Sequence, residues 1–140
     1  MNNSRLLTTI LLVSGIIGAC VGAGLLLVPQ LFHASSGIDL RGDVSLLSET
    51  RAPGGALLAI GVLITAGAFV QTLRFTATVL ASAVYLSYGL ARVLSMVLDG
   101  LPSSILVQAA ALELIMGGVC LFALLRYRLP AAALQRAREG

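Results

Sequence analysis

Four long runs of apolar residues constrain this chain more than any other feature. Residues 6–28 and 54–73 carry no charge, and residues 75–98 and 105–125 carry one charge each. A helix of about 20 apolar residues crosses the roughly 30 Å hydrocarbon core of a bilayer, where only internal hydrogen bonds satisfy the backbone. We therefore predict that residues 1–140 form one all-α domain, an integral membrane four-helix bundle with the lipid bilayer as its main partner.

The composition excludes two other classes of protein. Hydrophobic residues make up 58% of the chain and charged residues 11%, which is far from the average of a water-soluble domain. The first 125 residues carry five arginines and five acidic residues, so the net charge of +3 comes from residues 126–140, and the five arginines are scattered without neighbouring aromatic clusters. A nucleic-acid surface needs basic residues gathered on one face, so we predict no nucleic-acid partner.

The positions of the arginines predict the orientation of the bundle. A four-span arrangement places six of them on one side: Arg5, Arg74, Arg126, Arg128, Arg136 and Arg138. Only Arg41 and Arg51 fall on the other side. Because positive residues near span ends are retained in the cytoplasm, we expect cytoplasmic N- and C-termini and a cytoplasmic tail at 126–140. The segment 29–53 then lies outside a bacterial inner (cytoplasmic) membrane, in which the protein is multi-pass.

Two local patterns leave alternatives open. Pro53 followed by two glycines is typical of a first helical turn, but a short helix that starts near Val44 and kinks at Pro53 also fits. Near the N-terminus, Ile17-Gly18-Ala19-Cys20 resembles a lipoprotein cleavage box, which would make Cys20 a lipid anchor. The apolar run continues for eight residues beyond Cys20, so we favour a retained first span.

Two lone charges lie within the predicted third and fourth spans. A charge in a span costs about 2.5 to 3.5 kcal/mol on insertion scales, so it usually faces the bundle interior. At about 1.5 Å per residue, Arg92 and Glu113 lie at similar depths below the outer ends of their helices. Glu49 and Arg51 enter from the same side. We predict that these two acids and two bases converge in the outer half of the bundle.

A polar face on the third span extends this predicted cluster. Its members follow one another at intervals of three or four residues, which places them on one side of a helix: Tyr85, Tyr88, Arg92, Ser95 and Asp99. The candidate cluster, either a ligand site or a structural ion-pair network, therefore comprises Glu49, Arg51, Tyr88, Arg92, Asp99 and Glu113. No metal is expected, because the single histidine, His33, lacks a metal-binding spacing, and no motif calls for a cofactor.

These residues resemble a known family. The run from Ser48 to Gly55, the segment Arg92-Val93-Leu94-Ser95 before Asp99-Gly100, and then Glu113 are similar to small bacterial four-span proteins catalogued as domain of unknown function 4345. The resemblance covers nearly the whole chain. It implies an inner-membrane bundle distantly similar to DoxX and DoxD-like proteins, and it supplies no substrate.

The function predicted from these observations is non-enzymatic. We expect an inner-membrane binding module, or an accessory subunit of a membrane assembly, whose partners are a small lipophilic ligand, another membrane protein or a second copy of the chain. One alternative is a membrane enzyme in which Glu113 or Glu49 acts as acid or base on a lipophilic substrate. Another is an oligomeric proton-coupled transporter.

Overall fold

The chain folds into helices joined by short connections. The computed structural model describes the backbone of residues 2–139 and the side chains of residues 5–126. In chain order the elements are α1 (Asn2–Leu27), α2 (Pro29–Ala34), α3 (Val44–Phe69), a 3-10 turn (Gln71–Leu73), α4 (Arg74–Asp99) and α5 (Ser104–Glu139). Within this part of the chain, α1, α3, α4 and α5 are long and apolar enough to cross a membrane. The predicted all-α class with four spanning helices is confirmed.

The second span differs from the predicted range of 54–73. Helix α3 already begins at Val44, because the Asp43 carboxylate accepts hydrogen bonds from the backbone N–H groups of Ser45 and Leu46 at 2.7 and 3.1 Å. Pro53 therefore lies inside the helix. The helix ends at Phe69, where the extended backbone of Val70 interrupts it. The alternative start near Val44 is thus the correct one, although the helix that begins there is 26 residues long and not short.

The segment between α1 and α3 folds back onto the bundle. Its short helix α2 begins with Pro29, and the Phe32 ring lies so close to α1 that a Cβ added to Gly24 would be 2.6 Å from it. Leu40 is buried further along. The predicted outer segment 29–53 is therefore only partly a connection, since it includes α2 and the first ten residues of α3.

Helices α1 and α3 form the first of two tightly packed pairs. A Cβ added to Gly61 would overlap the backbone nitrogen of Ala19 and lie 2.8 Å from its Cα. Gly15 meets Thr65 in the same way, and Gly22 meets the backbone of α3. Small residues let membrane helices approach until their backbones touch, which strengthens their van der Waals contact.

Helices α4 and α5 form the second pair. A Cβ on Gly89 would lie 2.8 Å from the Leu114 side chain, and one on Gly117 would lie 2.7 Å from the Leu86 side chain. Each glycine thus receives a leucine from the opposite helix. The bundle is therefore built from two glycine-packed pairs. The contacts between the two pairs are looser than the contacts within each pair.

The two pairs join mainly at one end of the bundle, which we call the Arg74 end. The shared core there consists of small and aliphatic side chains from all four long helices: Leu7, Leu11, Ile64, Ala68, Ala77, Ala81, Cys120 and Ala123. The Arg74 guanidinium donates hydrogen bonds to Thr8 Oγ1 at 3.1 Å and to the Ala68 carbonyl at 3.3 Å. The opposite end, which carries α2, is called the α2 end.

Candidate functional site

A cavity of about 320 Å³ lies between the two helix pairs toward the α2 end. Apolar side chains form most of its wall, and α2 with the turn after it contributes one side. Residues of α1, α2, α4 and α5 line it, among them Gly18, His33, Tyr85, Tyr88, Arg92, Ala109 and Glu113. Ligand sites of small molecules are commonly apolar cavities of about 300 to 1,000 Å³ with a few convergent polar groups.

An ion pair between α4 and α5 forms the polar part of this wall. Arg92 Nε donates to both carboxylate oxygens of Glu113, at 2.9 Å to Oε2 and 3.1 Å to Oε1. The pair is only partly covered by protein, since the side chains of Arg92 and Glu113 are 33% and 15% exposed. The two lone charges of the third and fourth spans therefore neutralise each other at the edge of the cavity.

The Arg92 guanidinium uses only one of its edges in this pair. Glu113 occupies Nε, and neither Nη1 nor Nη2 has a hydrogen-bond acceptor within the described part of the chain. A guanidinium has five N–H donors in a planar fork, so four of them are left for another partner. Because Arg92 lines the cavity, these donors are available to a molecule bound there.

The two tyrosines on the same face of α4 have different roles. The Tyr85 hydroxyl donates to the Ser14 carbonyl at 2.6 Å and is buried, so it ties α4 to α1 at the floor of the cavity. Tyr88 is half-buried in the cavity wall, and its hydroxyl has no hydrogen-bond partner among the described residues. Tyr88 therefore adds a second polar group to that of Arg92.

The rest of the predicted polar face lies away from the cavity. Ser95 Oγ donates to Asp99 Oδ2 at 3.1 Å, and both residues are exposed near the end of α4. Asp99 is thus engaged locally and contributes nothing to the cavity wall. The polar face of α4 therefore extends beyond the cavity, which includes Arg92 but neither Ser95 nor Asp99.

Glu49 and Arg51 do not join Arg92 and Glu113, so the predicted convergence of four charges is wrong. Both residues are exposed on the first turns of α3. Arg51 instead lies beside the corner between α1 and α2, near Pro29 and Leu47. The physical reason is lateral placement, because α3 packs along α1 and has no Cα within 8 Å of α5 among the described residues.

His33 is a cavity residue that sequence reasoning did not place there. Its Nδ1 lies 3.1 Å from the Pro29 carbonyl, and because a carbonyl only accepts, Nδ1 carries the hydrogen. In a neutral ring with this tautomer, Nε2 is an acceptor. No sequence signal predicts this position, because nothing in the residues around His33 indicates that α2 folds back over the cavity. The described residues contain no group of three or more side chains suited to a metal.

Comparison with known proteins identifies the family of this chain. No curated protein and no solved structure matches the chain. The family model described as "Domain of unknown function (DUF4345)" matches residues 6–124, a range that includes most of every long helix as well as Arg92 and Glu113. The more distant likeness to DoxX and DoxD-like proteins stays a prediction. Since the match spans well over half of its length, the chain belongs to the DUF4345 family.

Proposed function

We propose that this protein is a non-enzymatic membrane protein that binds a small lipophilic molecule between its two helix pairs. The observation that carries the proposal is the cavity of about 320 Å³ whose apolar wall contains one ion pair. A wall of this kind accepts an apolar body and orients it through a few polar contacts. A purely structural ion pair would need no adjoining cavity.

The engagement of Glu113 favours binding over catalysis. Both of its carboxylate oxygens accept from Arg92 Nε, which holds the carboxylate in a fixed orientation against α4. A general acid or base needs a carboxyl that exchanges a proton with the substrate. The enzyme hypothesis is therefore the second candidate, and turnover that survives Glu113→Gln would exclude Glu113 as its proton donor.

Filling the cavity is expected to abolish ligand binding. Ala109→Phe places a ring in the cavity wall, whereas Ala111→Phe on the same helix adds the ring to an exposed position that does not line it. A ligand present at about 100 times its Kd stabilises a protein by about 2.7 kcal/mol. We expect a lipid and quinone panel to produce such a thermal shift in the wild type and Ala111→Phe, but not in Ala109→Phe.

Two results would count against the proposal. Equal shifts in the two phenylalanine variants would place any binding outside the cavity. A panel that stabilises none of the proteins would favour an accessory or structural role in a membrane assembly, with another membrane protein or a second copy as the partner.

We further propose that the protein resides in a bacterial inner membrane with both termini in the cytoplasm. Arg5, Arg74 and Arg126 lie at the Arg74 end, while the tail residues Arg128, Arg136 and Arg138 lie outside the described side chains. The excess of arginine at this end supports a cytoplasmic location for it. A fluorescent protein fused after residue 140 should fluoresce, and alkaline phosphatase fused there should be inactive. Active phosphatase would reverse the proposed orientation.

A further inference from the structure

We infer that the cavity selects a neutral lipophile with a carbonyl oxygen, such as an ester, and that the free edge of Arg92 holds this oxygen. The inference rests on the proposed function, because it names the chemistry of the molecule that the cavity binds. It follows from two features of the site, the hydrogen-bonding state of Arg92 and the charge balance of the wall.

The first feature is an excess of unpaired donors. The Nη groups of Arg92 and the Tyr88 hydroxyl have no acceptor among the described residues, whereas both Glu113 oxygens already accept a hydrogen bond. His33, Ser36 and the Tyr88 oxygen can each accept a hydrogen bond, but the two Nη groups of Arg92 bring four N–H donors and no acceptor. Polar groups that are removed from water are stabilised by a partner, so a ligand that supplies acceptor oxygen complements this wall better than a pure donor.

The second feature is the neutral charge of the site. Arg92 Nε lies 2.9 Å from Glu113 Oε2, so the charges of the two side chains cancel. No other arginine, aspartate or glutamate among the described residues lines the cavity. An anionic head group would enter this apolar space without a positive side chain to neutralise it, because Arg92 is already paired with Glu113. Because an unpaired charge is costly away from water, the site favours a neutral acceptor over a carboxylate.

Three probes of matched chain length separate these properties. Methyl decanoate is neutral with a carbonyl, decane has no acceptor, and decanoate is an anion in alkaline buffer. Thermal unfolding of the full-length protein in detergent, titrated with each probe, gives the Kd values. A hydrogen bond from a charged donor corresponds to about a tenfold or larger gain in affinity, so methyl decanoate should bind at least about tenfold more tightly than decane. It should also bind more tightly than decanoate.

Two variants assign this selectivity to Arg92. Arg92→Lys keeps a cation for Glu113 but removes the guanidinium fork, so it should lose most of the preference for methyl decanoate over decane. Tyr88→Phe should keep most of that preference. Selectivity that is lost in Tyr88→Phe and kept in Arg92→Lys would overturn the assignment.

The wild-type series alone decides the inference if a variant fails to fold. Equal binding of decane and methyl decanoate, or tighter binding of decanoate, would overturn the carbonyl preference while leaving the proposed lipophile-binding function intact. Failure of all three probes to bind would contradict both. Once selective binding of methyl decanoate is established, phosphatidylglycerol is added as a competitor. Displacement of methyl decanoate would identify the ester of a bilayer lipid as the source of the carbonyl, and no displacement would identify a free lipophile.

Discussion

Gly61→Leu is expected to destabilise the bundle by more than about 3 kcal/mol, the upper end of the usual cost of overpacking a core. At Gly61 even the first added carbon would overlap the backbone nitrogen of Ala19 and lie 2.8 Å from the Gly15 carbonyl oxygen. Backbone atoms cannot rotate away as a side chain does, so α1 and α3 would have to separate. Equilibrium unfolding in mixed detergent micelles, followed by circular dichroism, measures the change in the free energy of unfolding.

The matched control for this variant is Gly55→Leu on the same helix. A Cβ at Gly55 has only Leu26 Cδ1 near it, at 3.9 Å, which is ordinary van der Waals contact. Because leucine also favours the helix over glycine, Gly55→Leu should unfold at the wild-type midpoint or slightly above it. Equal stability of the two variants would contradict the close approach of α1 and α3.

The second large effect is expected from breaking the ion pair. Glu113→Leu leaves the Arg92 guanidinium without its counter-charge in a span, which should cost about 2.5 to 3.5 kcal/mol of unfolding free energy. Arg92→Leu combined with Glu113→Leu should recover most of this loss, because a neutral apolar pair no longer contains an unpaired charge. The same unfolding assay on both single variants and the double variant measures the coupling between the two side chains.

Arg51→Leu is the control for removal of a charge near this end of the bundle. Arg51 is exposed and takes part in no ion pair among the described residues, so its replacement should change the unfolding free energy by less than about 0.5 kcal/mol. If the losses in Arg92→Leu and Glu113→Leu simply added in the double variant, the two residues would not interact in the membrane.

The spanning helices themselves were largely predictable. Helix α4 was expected over residues 75–98 and runs from Arg74 to Asp99, because a long and mainly apolar run must satisfy its backbone as a helix in a bilayer. The start of α3 was harder to predict from the sequence. Pro53-Gly54-Gly55 has the local appearance of a helix start, and the real start depends on the Asp43 cap ten residues earlier.

The composition of the charged cluster was only half predictable. Depth in the membrane follows from counting residues along a helix, and it correctly placed Arg92 and Glu113 at one level. Glu49 and Arg51 had a similar expected depth, yet α3 lies against α1 and away from α5. Depth is one coordinate of a side chain, and it contains no information about which helix lies beside it.

The amino-acid sequence by itself determined the number and approximate lengths of the spanning helices and the depth of their lone charges, because all of these depend on distance along a helix against a fixed hydrocarbon thickness. The tertiary structure alone decided the lateral order: the two glycine-packed pairs, the cavity between them, the position of His33 over that cavity and the single edge of Arg92 that Glu113 occupies. Close contacts that glycines on one helix make with the neighbouring helix set this order, and such contacts exist only once the helices are packed together.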